Sequence, residues 1–387
     1  MPRLLSLDAL RGVAVILMME QHMGVWLWHL EDPARGALAQ APAYMAINGL
    51  GGLAAPTFIT LAGAGTSLLV ASRSAAGPAN IDVTLLRRGL VLMGFGYLLN
   101  FLTPSWFSAG SWFVLHMMGF AIATAPLWRR LASPVLLALE PAILALTVAA
   151  QTWLATPPFL DNSRMRDTEL PGGALRLALA EGQFPVLPWL GVFLTGMVVG
   201  RWLLAEQHAR VAALARALLL GGLALVGLDW AAGEVPALAF LHTDPWSRVV
   251  TVRTSFYPAG PGIVLLLQSG VLLMLAAALH IERSREPDPP SPREPDPPSA
   301  GEPGRPGAPG RLEWFVSLGR ASLTLLLVHV VVFREISRPL GAWQAFGRGT
   351  ALAIIVAWLA LSAVLTHAWR RVGYRFGAEW LLRRLGG

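Results

Sequence analysis

The chain has 387 residues, 55% of them hydrophobic and only 14% charged, with a formal net charge of +7. A soluble domain averages roughly 25% charged residues, and here the apolar residues come in blocks of about 20, enough to cross a bilayer core of roughly 30 Å as helix. That excludes a string of soluble domains. It also argues against nucleic acid as a partner, because all 30 basic residues are Arg and they gather at the ends of apolar blocks, as membrane orientation requires.

Cysteine is absent, which removes disulfides, thiolate metal sites and a thiol nucleophile. The lack of Lys beside abundant Ala, Gly, Pro and Arg suggests a GC-rich bacterial gene, and so a bacterial inner membrane. The first apolar block lacks a small-residue cleavage site and reads as a span, not as a cleaved signal peptide.

In chain order, the blocks predict an all-α fold, a polytopic transmembrane helix bundle of about ten spans. They fall near 9–30, 47–71, 86–103, 112–129, 133–153, 184–204, 211–230, 258–281, 312–333 and 349–369. With the N-terminus inside, 20 Arg fall on the inner side and 9 on the outer, while Arg320 lies within a span, so both termini are expected to be cytoplasmic. Residues 1–283 then carry spans one to eight, and 312–387 carry spans nine and ten with a basic tail. Between them, 284–311 contains the unit REPDPPS twice, at 285–291 and 293–299. Pro this dense removes backbone donors and blocks helix, so the segment is expected to be a disordered cytoplasmic linker. The outer loops 154–183 and 231–257 are flanked by or contain Trp153, Trp230, Trp246 and Tyr257, which suit interfacial anchoring.

Polar groups at bilayer depth are costly and tend to face a bundle interior, so they are the candidates for function. In the first span, "SLDALRG" places Asp8 and Arg11 three apart, on one helical face, where they can pair. Arg11 can also meet an anionic ligand such as a phosphate. His22 follows eleven residues later, about 16 Å along the axis. Its partner must come from another span or from substrate, because Glu20 points elsewhere on the helix. His29, seven residues on, is expected to return to the face of His22 near the outer end. His116 and His329 fall near the outer ends of the fourth and ninth spans, while Glu140, Gln268 and Asn100 read as packing groups. The four His lack metal-ligand spacing, so no metal is expected. The small residues Gly63, Ala64, Gly65 and Ser67, and Gly191, Gly196 and Gly200, read mainly as helix-packing stripes.

"RLLSLDALRGVAVILMMEQH" resembles the opening helix of the heparan-α-glucosaminide N-acetyltransferase catalytic domain family, with Arg11-Gly12 as its RG pair and His22 ten positions after the Gly. "AAPTFITLAGAGTS", "LLRRGLVLMGFGYLL", "VLHMMGFAIA", "FPVLPWLGVFLTGMVVG" and "LGRASLTLLLVHVVV" resemble later blocks of that family, in order. One departure stands out: the family's acetyltransferases carry a His in the outer loop before the second helix, whereas the loop at about 31–46 here has none.

The resemblance implies transfer of an acyl group, acetyl in the first instance, from cytoplasmic acyl-coenzyme A to an amine or hydroxyl of a sugar or glycolipid acceptor across the bilayer. On that footing His22 is expected to be the base and His29 or His329 to orient the acceptor. Arg11 is expected to hold the coenzyme, and His116 and Glu20 to contact substrate. A homodimer is compatible with this reading. Two other classes fit the residues less well: a transporter or flippase of a polar lipid-linked substrate, and a membrane scaffold recruiting partners through the Pro-rich insert.

Overall fold

The computed structural model describes residues 4–29, 42–251, 256–284 and 311–387. The Pro-rich segment therefore lies outside the described residues, as does most of the 31–46 loop. The described chain is helical, and its one extended pairing is an isolated bridge between Trp28 and Phe346. The longer helices are α1 (Leu5–Leu27), α2 (Pro42–Gly51), α3 (Ala54–Ser72), α4 (Pro78–Leu102), α5 (Val114–Trp128), α6 (Ser133–Trp153) and α7 (Val186–Leu204). They continue with α8 (His208–Glu234), α9 (Pro261–Arg283), α10 (Arg311–Arg320), α11 (Ser322–Val330), α12 (Arg348–Trp369) and α13 (Ala378–Gly386).

Among the described residues, seven helical segments are long and apolar enough to cross a membrane, and eight if the bent pair Leu312–Arg320 and Ser322–Ile336 is one span. The multi-pass membrane reading rests on these. Two segments expected as spans depart from that standard. Helix α1 carries Asp8, Arg11 and Glu20, and α5 has only 15 residues.

Helix α1 is the hub of the bundle, packing against α2, α3, α9, α10, α11 and α12. Its first turn is capped from a distance: the Glu282 carboxylate at the end of α9 accepts from the N–H of Leu5 (3.0 Å) and of Ser6 (3.3 Å), satisfying donors that a helix start leaves orphaned. The tightest crossing joins α1 to α10. A Cβ on Gly12 would lie 2.0 Å from the Phe315 carbonyl oxygen, and one on Gly319 would lie 2.0 Å from that of Asp8. The Gly of the RG pair is thus required by backbone-to-backbone contact. A second such seam joins α3 to α7, where a Cβ on Gly63 would meet the Phe193 carbonyl oxygen at 2.1 Å and one on Gly196 that of Thr60 at 2.3 Å. Small residues are what let helices approach this closely in lipid.

Helices α10 and α11 meet at a bend of 69°. Ala321 leaves helical geometry there, with φ −111° and ψ 17°, and this exposes the N–H groups of a new helix start. Glu379 of α13 meets them: its carboxylate accepts from Leu323 N (2.5 Å), Thr324 N (3.1 Å) and the Thr324 hydroxyl (2.6 Å). The C-terminal helix is therefore a cap for α11, a contact no local pattern announces. Beyond α11 the chain continues in π-helical turns over Val331–Ile336, the helix variant that recurs at functional sites.

Trp153, Trp230 and Trp246 are exposed, as interfacial anchors should be, but Tyr257 is not one of them: it lies in the wall of an internal cavity. Asn100 donates to the Ser111 carbonyl (3.0 Å), and buried Glu140 accepts from the Thr195 hydroxyl.

Candidate active site

A cavity of about 370 Å³ runs beside α1, from Asp8 and Arg11 near its start to Gln21 and His22 near its end. That volume suits a small-molecule site. The wall between its ends is apolar, with Phe58, Leu92, Leu99, Met118 and Leu326.

One end is ionic. Arg11 donates to Asp8 Oδ1 at 3.0 Å, and Arg320 Nε stands 3.5 Å from Asp8 Oδ2. The spacing of Asp8 and Arg11 three apart on α1 makes the first pair, and the α1–α10 crossing brings up the second cation. Arg383 of α13 joins them in the cavity wall, beside Glu379. A Cβ on Gly65 would lie 3.2 Å from Arg11 Nη2, so the small residue of α3 makes room for the guanidinium. One carboxylate thus serves two arginines, and the cavity wall at this end carries more cationic than anionic groups.

The other end is imidazole and aromatic. His22 Nδ1 lies 2.9 Å from His329 Nε2, and His329 Nδ1 lies 2.7 Å from the Leu325 carbonyl oxygen. His329 is fully buried, whereas His22 forms part of the cavity wall. Trp26, one turn after His22, packs on its ring at 5.0 Å, and Trp106 meets it edge-on at 5.3 Å. Arg334 stands over the same two indoles, 5.8 and 5.4 Å from their centroids, and donates to Ser105. Gln21 reaches back to α2, donating to Asn48 Oδ1 (3.1 Å) and to its carbonyl (3.2 Å).

The loop residues Gln183, Phe184 and Tyr257 complete this end. Burial pushes the Tyr257 phenol well above its ordinary value, so it faces the cavity as a neutral group. The adjoining loop is fixed by ion pairs: Glu181, fully buried, is held by Arg164 (3.2 Å) and by Arg176. In the same loop Asp161 accepts from the Arg164 N–H and the Ser163 hydroxyl, which hold its carboxyl below the usual range.

Of the residues singled out in the sequence, the structure joins Arg11, His22 and His329 to one cavity, the first two as wall and His329 through His22. Asp8 lines the cavity beside Arg11, but His29, His116 and Glu20 are not brought there. Helix α1 ends at Leu27, so His29 leaves the helical face it was expected to share with His22; it is exposed, and its ring nitrogen lies 3.1 Å from the Gln344 carbonyl. His116 is buried at the start of α5, where Nδ1 accepts from the Phe113 N–H (3.3 Å), and it is packed by Tyr97, Trp112 and Phe113. Glu20 is half-buried and not among the cavity residues.

Arg383 and Glu379 lie in the stretch whose sequence reads only as a basic tail. The amphipathic run "AEWLLRRLG" was the signal that this tail is a helix with one face to bury. Among the described residues no three His, Asp or Glu are grouped to hold a metal ion.

Residues 3–229 match the family described as "Heparan-alpha-glucosaminide N-acetyltransferase, catalytic". A comparison with proteins of curated function gives no match. The matched stretch holds Arg11 and His22, whereas Arg320, His329 and Arg383 all follow it.

Proposed function

Because the chain belongs to the heparan-α-glucosaminide N-acetyltransferase catalytic family, a family of membrane acyltransferases, we propose that it moves an acetyl group from cytoplasmic acetyl-coenzyme A to an amine or hydroxyl of a sugar on the far side of the bilayer. The observation that carries this reading is the single cavity with arginines at one end and a hydrogen-bonded imidazole at the other. Arg11, Arg320 and Arg383 are cations suited to the coenzyme's phosphates. The apolar stretch between suits its thin pantetheine arm, and the eleven residues from Arg11 to His22 set the ends about 16 Å apart. The thioester then arrives beside His22.

The chemistry follows from that placement. With Nδ1 engaged by His329, His22 turns Nε2 to the cavity as the base. Nε2 takes the proton of the acceptor amine or hydroxyl as its nitrogen or oxygen attacks the thioester carbonyl carbon. The tetrahedral adduct collapses, the carbon–sulfur bond breaks, and the departing thiolate takes the proton back from Nε2. The products are acetylated acceptor and free coenzyme A, and His22 returns to its starting state. The aromatic walls exclude water, which would otherwise hydrolyse the thioester.

The test is calorimetric titration of acetyl-coenzyme A into the detergent-purified protein, with thiol release measured in the presence of glucosamine. Saturable binding that weakens in Arg11→Ala but persists in His22→Ala, with thiol release lost in the latter, supports the reading. A folded protein that binds no short acyl-coenzyme A overturns it and favours a transporter.

A further inference from the structure

Neutral imidazole has two tautomers, and only one of them makes His22 a base toward the cavity. The proton must sit on Nδ1, leaving the lone pair on Nε2. The lone ring does not settle this. The chain settles it from 307 residues away.

The argument begins at a backbone carbonyl. The Leu325 oxygen, 2.7 Å from His329 Nδ1, can only accept, so Nδ1 of His329 must carry a proton. In neutral His329 that leaves the lone pair on Nε2. His22 Nδ1 lies 2.9 Å from that lone pair and must therefore be the donor. The remaining lone pair of His22 falls on Nε2, which has no hydrogen-bond partner among the described residues and whose ring lines the cavity.

The ring geometry agrees. The two imidazoles are 11° from parallel with centroids 5.2 Å apart, and that separation is close to the N···N distance plus two ring radii. They are joined edge to edge in nearly one plane, so the hydrogen bond is close to linear. Full burial of His329 keeps water from offering Leu325 or His22 another partner.

We propose that His329 is a positioning residue that fixes the tautomer and ring orientation of His22, acting as a neutral counterpart of the carboxylate that orients histidine in hydrolase triads. The proposal rests on the acetyltransferase reading of His22. A carboxylate in that position would bring a negative charge to bilayer depth, whereas a second imidazole supplies the same acceptor without one. Of the side chains beside His22 on α1, Glu20 points elsewhere and Gln21 is spent on Asn48. The charged or titratable groups facing His22 from neighbouring elements are His329 and Arg334. Arg334 is held over Trp26 and Trp106. The positioning residue itself lies outside the part of the chain that matches the family, since His329 follows residue 229.

The experiment compares His329→Leu, which cannot accept, with His329→Gln, whose amide oxygen can. Nitrogen-15 histidine spectra of the full-length protein in detergent, with His22→Ala to assign the signal, read the tautomer directly. Acetyl-coenzyme A with glucosamine gives the kinetics. The expected result is a proton on Nδ1 of His22 in the wild type, lost or mixed in His329→Leu and retained in His329→Gln. With it, kcat falls by about 10²-fold or more in His329→Leu at unchanged KM for the donor, and stays within about tenfold in His329→Gln. A wild-type proton on Nε2, or a His329→Leu enzyme within about twofold of wild type, overturns the proposal. Failure of the acetyltransferase reading looks different: no thiol is released by any form, while the spectra still report whether His329 sets the tautomer.

Discussion

The two ends of the cavity solve the same problem, a polar group at bilayer depth, by opposite means. At the arginine end the charges are kept and shared, with Asp8 between Arg11 and Arg320 at 3.0 and 3.5 Å. At the histidine end the hydrogen-bonded pair is neutral: two imidazoles pass one hydrogen bond to a backbone carbonyl inside a shell of indoles, and Arg334 lies over those indoles and not on the imidazoles. An anion site needs excess positive charge and tolerates the desolvation cost because one carboxylate offsets part of it. A base needs a lone pair, and a neutral partner that accepts from Nδ1 leaves one on Nε2. The first arrangement should govern how tightly a donor binds, and the second how fast it reacts.

The sharpest way to break that division is His22→Ala. It should lower kcat by about 10²- to 10⁴-fold, the usual contribution of a positioned acid–base group, while calorimetric affinity for acetyl-coenzyme A stays near that of the wild type. A parallel loss of affinity would mean that the two ends are not separate. Next in size is Gly319→Ala. Its new Cβ would lie 2.0 Å from the Asp8 carbonyl oxygen, so α1 and α10 must part at the crossing that brings Arg320 to Asp8. Overpacking of this kind costs about 1–3 kcal/mol, and here the obstacle is backbone, which cannot rotate away. Thermal unfolding in detergent should show a lower midpoint together with weaker donor binding, whereas Gly94→Ala, whose Cβ would meet nothing within 4 Å, should show neither.

What the sequence could disclose follows the same split between local and distant contacts. Each apolar block corresponds to a helix or helix pair at the expected place, because hydrophobic length is a local property. The Asp8–Arg11 pair was legible for the same reason, being three residues apart on one helix. The break at Ala321 was not, since Glu379, which caps the new helix, comes from 55 residues beyond Thr324. His22 and His329 could each be placed in the outer half of a span, but their meeting depends on the packing of α11 against α1, and nothing in either segment encodes it. His29 misled because a seven-residue spacing marks one face only while the helix lasts, and α1 stops at Leu27.

Arg11→Ala probes the other arrangement and should act on binding. Hydrogen bonds to charged groups are worth about 1.5–3 kcal/mol, so KM for acetyl-coenzyme A should rise by roughly ten- to a hundredfold with kcat little changed. The rise should shrink as ionic strength increases, because salt already screens the wild-type attraction. A fall in kcat at unchanged KM would place Arg11 with the chemistry and erase the contrast between the two ends.

The smallest effect should come from His29→Ala, and its smallness is informative. His29 lies seven residues from His22, and sequence spacing alone puts the two on one helical face. The structure separates them by environment: His22 is packed between indoles in the cavity wall, whereas His29 is exposed beyond the end of α1. Its backbone N–H, at 2.8 Å from the Phe346 carbonyl, ties the end of α1 to the segment ahead of α12, and that bond survives loss of the side chain. Only the contact between its ring nitrogen and the Gln344 carbonyl disappears, an exposed hydrogen bond worth about 1 kcal/mol or less. Both kcat and KM should therefore remain within about twofold of wild type in the glucosamine assay. A loss comparable to that of His22→Ala would move the acceptor site outward, past the aromatic shell to the end of α1, and would show that the imidazole pair is not the whole of the reactive end.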